Sequence, residues 1–177
     1  MCPVRPIQTA LNENTKPLGS AHSAQRVLLL GLGNDILTDD AVGLLVVREL
    51  QRELAGHPSL DFRETTEMGL ALLDYITGYH AVVIVDSIQT GKAAPGSLHE
   101  VDAATLTRLT GRTPHFVGVS ETLALGNQLG LAMPAQVIIF AIEVGDPFTV
   151  GTSLTPALQA ALPGVVGRIA AALQACK

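Results

Sequence analysis

The sequence predicts an α/β fold of three layers, in which a twisted, mostly parallel sheet is flanked by helices on both faces. Short apolar runs alternate along the chain with stretches whose apolar residues recur at helical spacing, as in successive strand–helix–strand units. Hydrophobic residues make up 47 % of the 177 residues, whereas aromatic residues make up 3 % and Trp is absent. A core built from Leu, Val, Ile and Ala is typical of a sheet that is buried on both faces. The length is typical of a single domain.

Five runs of mostly apolar residues are predicted to form the strands of this sheet. They occupy residues 26–31, 60–65, 81–85, 97–101 and 136–142. The second run is partly polar, so we expect it near an edge of the sheet. The third run is the most apolar, so we expect it at the centre.

Four helices are predicted between and after these strands. They occupy residues 40–54, 68–77, 114–129 and 156–176. The last two begin with a Thr-Pro pair, in which a capping residue precedes a proline at the first helical position. Pro163 and Gly164 are expected to kink or break the last helix.

The ends of the chain differ in composition from the middle. Residues 1–23 are rich in Pro, Asn, Ser, Thr and Ala, and we expect them to form a loose arm before one α/β domain, residues 24–177. Cys2 and Cys176 lie near opposite ends and form no Cys-x-x-Cys pair, so we expect inert thiols rather than a disulfide framework.

Charge and hydropathy narrow the classes of partner. The formal net charge is −5 and no basic cluster is present, which argues against nucleic acid. The sequence shows no signal-peptide pattern and no uninterrupted apolar run of the ~20 residues that a membrane span needs. We therefore expect a cytoplasmic protein that is monomeric and has no membrane partner.

Residues 27–43 combine a buried strand, a glycine turn and two adjacent carboxylates at the start of a helix. Gly31 and Gly33 permit backbone angles that a Cβ would forbid. A nucleotide-binding turn leaves the helix N-terminus open to a phosphate, whereas Asp39 and Asp40 place negative charge there. Such a site repels a phosphate and attracts a cation. We expect Asp39 to be mainly the cap of the first helix and Asp40 to face the ligand crevice.

Asp86 and His115 are the other candidate ligands of a cation. The crevice of an open α/β sheet lies beyond the carboxyl ends of its strands, so Asp40 and Asp86 are both expected to reach it. The alternative for Asp86 is to accept backbone N–H groups of the next turn. His115 lies at a predicted helix N-terminus, where the dipole favours the neutral imidazole that a metal requires, although a structural role remains the alternative. The remaining histidines are expected in surface or packing roles: His22, His57, His80 and His99.

Two carboxylates and one imidazole form a set of donors with open coordination positions. Because the set has no thiolate, it does not suit a structural zinc site. Exchangeable Ni, Mn, Fe or Zn suits it better.

At these residues the chain resembles the hydrogenase maturation proteases, which process the large subunit of nickel–iron hydrogenases. The resemblance extends over residues 26–172 and depends on four motifs. They are Gly-Leu-Gly-Asn at 31–34, Leu-Thr-Asp-Asp-Ala-Val-Gly at 37–43, Val-Ile-Val-Asp at 83–86 and Pro-His at 114–115.

The resemblance implies a function and a set of site residues. The expected activity is that of an endopeptidase, aspartic-type or nickel-dependent, which removes a C-terminal extension from the large-subunit precursor after nickel insertion. The metal-sensing and catalytic positions of the family correspond here to Asp40, Asp86 and His115. Nickel is expected to be carried by the precursor and to bind the protease only transiently. The glycine-rich turn that the family has after the second strand is reduced here to Gly69.

Three other functions are alternatives for this sequence. A dinucleotide-binding module is disfavoured, because no third glycine opens the helix after Gly33 and a phosphate would meet Asp39 and Asp40. A peptidyl-tRNA hydrolase also opens with Gly-Leu-Gly-Asn, but it needs a basic face that this acidic chain lacks. A non-catalytic metal-binding hydrogenase chaperone would use the same ligands without cleaving anything.

Overall fold

The computed structural model describes residues 26–102 and 119–175, and all structural statements below refer to these residues. The strands are β1 (Val27–Leu32), β2 (Leu60–Thr65), β3 (Ala81–Ile88), β4 (Leu98–Asp102) and β5 (Gln136–Glu143). The helices are α1 (Val42–Glu53), α2 (Leu72–Ile76), α3 (Val119–Gln128) and α4 (Pro156–Ala175). A single 3-10 turn, Gly69–Ala71, leads into α2.

The described strands form one sheet in the order β2-β1-β3-β5-β4. The first four strands of this order run parallel, and β4 pairs with β5 in the antiparallel direction. The predicted three-layer α/β fold with a mostly parallel sheet is therefore confirmed, including the edge position of β2.

The helices divide between the two faces of the sheet, and each face has its own hydrophobic core. Side chains alternate between faces along a strand, so Val83 and Val85 of β3 lie on one face while Val82 and Ile84 lie on the other. The first pair packs with α1 and α4, and the second pair packs with α2 and α3. Successive strand residues are thus all buried, which explains the near-continuous apolar runs in the sequence.

Two glycines allow α1 to lie unusually close to the sheet. A Cβ on Gly43 would lie 2.2 Å from the carbonyl oxygen of Leu32 and 2.4 Å from that of Val85. Gly33 has φ +149°, and a Cβ there would lie 2.1 Å from the carbonyl oxygen of Asp40. Only glycine fits these positions, and the close approach brings the turn that carries Asp40 against the carboxyl ends of β1 and β3.

Two elements continue further than the sequence predicts. Strand β3 does not end at Asp86 but continues to Ile88, because residues 86–88 pair with β5. Helix α4 continues through Pro163, so the break, one of the two expected outcomes, does not occur. Leu158 before the proline and Ile169 after it are both fully buried, and burying such side chains stabilises the helix by about 1.5–3 kcal/mol each, against the roughly 3 kcal/mol that an internal proline costs.

Helix α4 also has the length and composition of a membrane-crossing segment. Its residues Pro156–Gln174 have a mean hydropathy of 1.3, although Gln159 and Arg168 interrupt the apolar run. Buried residues of α4 pack into the same core as α1 and the sheet. Of this segment 28 % is buried, so α4 packs on the core along one face and exposes the rest.

Several predictions fall on residues outside the described ranges. They concern the arm at residues 1–23, the thiols of Cys2 and Cys176, the start of the helix expected from residue 114, and His115 itself.

Candidate active site

The candidate site lies where the order of the strands reverses. The chain passes from β1 outward to β2 on one side and then back to β3 on the other side of β1. Connections that leave neighbouring strands in opposite directions open a crevice beyond their carboxyl ends, which is where open α/β sheets bind ligands. Asp40 follows β1, and Asp86 lies near the end of β3.

Strand β3 extends past its neighbour at this crevice. Pairing between β1 and β3 ends at Gly31 and Val85, whereas pairing between β3 and β5 continues to Ile88 and Glu143. Asp86 and the two residues after it therefore have a strand on one side and the crevice on the other. Their backbone is still held in place by β5.

Ser87 brings the two predicted carboxylates together. Its hydroxyl donates a hydrogen bond of 2.6 Å to Oδ1 of Asp40, and its backbone N–H donates one of 2.7 Å to Oδ1 of Asp86. Asp40 is 3 % exposed, Asp86 0 % and Ser87 2 %. The structure thus places Asp40 and Asp86 in a buried part of the crevice, where both are hydrogen-bonded to Ser87.

Asp39 has a different structural role from the one predicted. Helix α1 begins at Val42 with no side-chain cap, so Asp39 does not cap it. Its carboxylate instead accepts hydrogen bonds from the backbone N–H groups of Gly145, Asp146 and Thr155 and from the Thr155 hydroxyl, over distances of 2.7–3.1 Å. Asp39 therefore joins the β1–α1 turn to the segment between β5 and α4.

A fourth buried carboxylate, that of Glu143, holds the segment that follows β3 in place. Glu143 accepts hydrogen bonds from the backbone N–H and hydroxyl of Thr90 and from the backbone N–H of Gly91, at 2.7–2.8 Å, and contacts the His99 ring at 3.3 Å. Burial opposes its ionisation and by itself would raise the pKa of Glu143. The hydrogen bonds from Thr90, Gly91 and His99 outweigh burial, so the pKa lies below the ordinary glutamate value.

An open cavity of about 550 Å³ lies between this segment and the end of β5. Gln89, Pro95 and Gly145 are among the residues that line it, and the Gln89 side chain donates a hydrogen bond of 2.7 Å to the carbonyl oxygen of Gly145. The volume is within the range of about 300–1,000 Å³ typical of ligand pockets. Its lining includes Glu143 and a backbone partner of Asp39.

The third predicted ligand, His115, is outside the described residues. Within residues 26–102 and 119–175, no three His, Cys, Asp or Glu side chains are grouped so as to hold a metal ion. Asp40 and Asp86 are the described residues whose oxygens could join a metal at the crevice. The histidines predicted in surface or packing roles include His80, which is exposed, and His99, which contacts Glu143.

Sequence reasoning missed Ser87 and Glu143. A serine next to Asp86 in an apolar strand is an irregularity that could have marked Ser87. Glu143 directly follows an apolar run, as Asp86 does, and this position could have marked it as a site residue. The partners of Glu143 are 44–53 residues away in sequence, so no local pattern predicts them.

Carboxylates in this arrangement have two chemical capacities. Their oxygens can ligate a divalent cation, and with one imidazole they form the borderline donor set that suits nickel among other metals. A buried carboxylate can also take a proton from an attacking water. Both capacities are compatible with the hydrolysis of a peptide bond.

Comparisons with known proteins point to one family. The family described as hydrogenase maturation protease matches residues 44–172. The hydrogenase 2 maturation protease of Escherichia coli K12 is 25 % identical over 154 residues, which cover 84 % of this chain and 91 % of that protein. The hydrogenase expression/formation protein HupD of Bradyrhizobium diazoefficiens is 28 % identical over 134 residues, covering 74 % and 69 %.

Solved structures show the same fold. The hydrogenase maturating endopeptidase HybD from E. coli superposes with a TM-score of 0.69 at 24 % identity, covering 85 % of this chain and 93 % of that one. The [NiFe] hydrogenase maturation protease HybD from Thermococcus kodakarensis has a TM-score of 0.62 at 26 % identity, covering 84 % and 98 %.

Proposed function

We propose a specific reaction for this chain, which belongs to the hydrogenase maturation protease family and is therefore an endopeptidase, a hydrolase. The proposed reaction is removal of the C-terminal extension of a nickel–iron hydrogenase large-subunit precursor after nickel insertion. The observation that carries the proposal is the pair of buried carboxylates, Asp40 and Asp86, held around Ser87 at the crevice. Because the chain belongs to this family, a dinucleotide-binding module and a peptidyl-tRNA hydrolase are no longer candidates.

In this proposal Asp40, Asp86 and His115 recognise nickel that the precursor already holds. Three protein donors without a thiolate leave coordination positions open, so binding by the protease is reversible and the metal can keep its ligands in the precursor. Shared coordination would place the scissile bond at the crevice and turn recognition of the metal into positioning of the substrate. A precursor without nickel would lack this anchor.

The hydrolytic step has two forms that these residues can support. In one, a carboxylate of the pair accepts a proton from the attacking water. In the other, the metal polarises the scissile carbonyl. The open cavity beside Gln89 and Gly145 offers space for the precursor's tail next to the crevice.

The test is a cleavage assay on the cognate precursor in two forms, loaded with nickel and free of metal. We expect the wild-type protease to cleave the loaded form only, and the purified protease to retain little nickel after dialysis. Equal cleavage of the metal-free form would contradict the gating by nickel. Stoichiometric metal that survives dialysis would indicate a conventional metalloprotease instead, and binding of the loaded precursor without cleavage would indicate a metal-binding chaperone.

A further inference from the structure

Ser87 donates hydrogen bonds to both predicted carboxylates, and the proposed function does not use it. We propose that Ser87 is a positioning residue, which fixes the carboxylate of Asp40 in the orientation that receives the metal-loaded precursor. This inference rests on the proposed function and adds to it a residue that acts through Asp40.

The hydrogen bond between Ser87 and Asp40 is short and buried. The Ser87 hydroxyl lies 2.6 Å from Oδ1 of Asp40, within the range of a well-formed O–H···O hydrogen bond. Both partners are almost fully buried. Water therefore does not compete for the carboxylate oxygen at this contact.

Ser87, the donor of this hydrogen bond, is itself held in place by the sheet. Ser87 lies in β3, and its backbone is paired with Ile142 of β5. Because side chains alternate between the two faces along a strand, the Ser87 side chain lies on the same face as Val85, which is the face that α1 covers. A hydroxyl on a central strand is thus a fixed reference point for a carboxylate that lies in a turn.

Asp40 lies in the turn before α1, whose first residue is Val42, so its backbone is outside the regular hydrogen bonding of the helix. A group that must meet a metal presented by another protein gains from being oriented in advance, and a displacement of about 1 Å can cost 100-fold in rate. The Ser87 hydroxyl supplies this orientation.

The roles of the two donors of Ser87 can be separated by mutation. Ser87→Ala removes the hydroxyl bond to Asp40 and leaves the backbone N–H bond to Asp86. Ser87→Thr keeps the hydroxyl, and a β-branched side chain suits a strand. Thr122→Val is the matched control, because it removes another buried hydroxyl, one that has no hydrogen-bond partner among the described residues.

The experiment measures kcat and KM on nickel-loaded precursor, the affinity of the free protease for Ni²⁺ by calorimetric titration, and the melting temperature. We expect Ser87→Ala to fold normally and to lower kcat/KM by about tenfold or more, with restoration by Ser87→Thr and no change in Thr122→Val. We also expect Ser87→Ala to weaken Ni²⁺ binding. The loss of Ni²⁺ affinity caused by Ser87→Ala should be smaller in an Asp40→Asn background, because the two residues act as one unit.

Three results would overturn the proposal. The first is wild-type kinetics in Ser87→Ala. The second is an equal loss of kcat/KM in Ser87→Ala and in a Ser87→Thr variant that melts like the wild type. The third is complete inactivity of Ser87→Ala with unchanged Ni²⁺ affinity, which would indicate that Ser87 is a nucleophile. Asp40→Asn and Asp86→Asn separate this failure from that of the proposed function. If both are inactive while Ser87→Ala is normal, only the role of Ser87 is wrong; if both cleave normally, the proposed site is wrong.

Discussion

The carboxylate of Asp39 accepts two hydrogen bonds from Thr155, one from its backbone N–H at 2.7 Å and one from its hydroxyl at 3.0 Å, although 116 residues separate them. Thr155 immediately precedes the first residue of α4. The same carboxylate also binds two backbone N–H groups after β5. Adjacent aspartates therefore differ in role: Asp39 joins distant segments of the chain, and Asp40 faces the residues of β3.

Replacing Asp39 is expected to cost stability. Asp39→Ala leaves four part-buried donors without their acceptor. A fully buried donor left unpaired costs about 1–3 kcal/mol, and a part-buried donor costs less because water can reach it. We expect the free energy of unfolding, measured by urea denaturation, to fall by about 1–3 kcal/mol in total. Asp35→Ala, at an exposed position of the same turn, is the control and should change it little. Asp39→Ser should also lose stability, because one short hydroxyl cannot serve all the partners of two carboxylate oxygens. A fully stable Asp39→Ser variant would contradict this role.

The predicted ligands are expected to act as one unit. Asp40→Asn, Asp86→Asn and His115→Ala should each abolish cleavage of nickel-loaded precursor, because each removes one of three donors. Thermal melting should show that the variants remain folded. Asp74→Asn and His80→Ala alter exposed residues of the same types and should cleave normally. Near wild-type processing by any one of the three site variants would remove that residue from the site.

The close contact between α1 and the sheet is expected to be sensitive to one methyl group. In Gly43→Ala the new Cβ meets the backbone oxygens of Leu32 and Val85, so α1 must shift. We expect a loss of about 1–3 kcal/mol in the free energy of unfolding. The cleavage rate should fall by up to about 100-fold, because the turn that carries Asp40 moves with the helix.

Gly167→Ala is the control for this substitution. Gly167 lies in α4, and a Cβ there would meet nothing within 4 Å. Alanine in a helix interior is more favourable than glycine by about 0.5–1 kcal/mol, so Gly167→Ala should stabilise the protein. If Gly43→Ala were as stable and active as Gly167→Ala, the close approach would have no structural importance.

The pKa of Glu143 predicts a pH dependence of stability. Because the pKa is lowered in the folded state, the unfolded chain binds more protons in acid, and stability rises with pH. The contribution of Glu143 is therefore present above about pH 4.3, where an unfolded glutamate ionises, and is lost as the pH falls through the folded-state pKa. Glu143→Gln should be less stable than wild type at pH 7, and the difference should shrink in acid.

Urea denaturation of both proteins between pH 7 and pH 3 measures this effect. Glu100→Gln, at an exposed position of β4, should follow the wild type at every pH. A difference between wild type and Glu143→Gln that stays constant with pH would show that the charge of Glu143 does not stabilise the fold.

Most of the elements could be predicted because their determinants are local. Each strand is a short apolar run, and the turn after β1 depends on glycines that no other residue replaces. The errors arose where a distant segment decides the outcome. Residues 86–88 remain in β3 because β5 pairs with them, and α4 continues through Pro163 because residues on both sides of it are buried in the core.

By itself the sequence determined the α/β fold, the glycine turn, and the placement of Asp40 and Asp86 near the carboxyl edge of the sheet. These features follow from hydrophobic periodicity, from the backbone freedom of glycine and from positions directly after apolar runs, all of which are read within about ten residues. Only the tertiary structure decided what each carboxylate contacts. Asp39, Asp40 and Glu143 bind partners that lie 44–116 residues away, and a local pattern contains no information about which distant donor a buried carboxylate will meet.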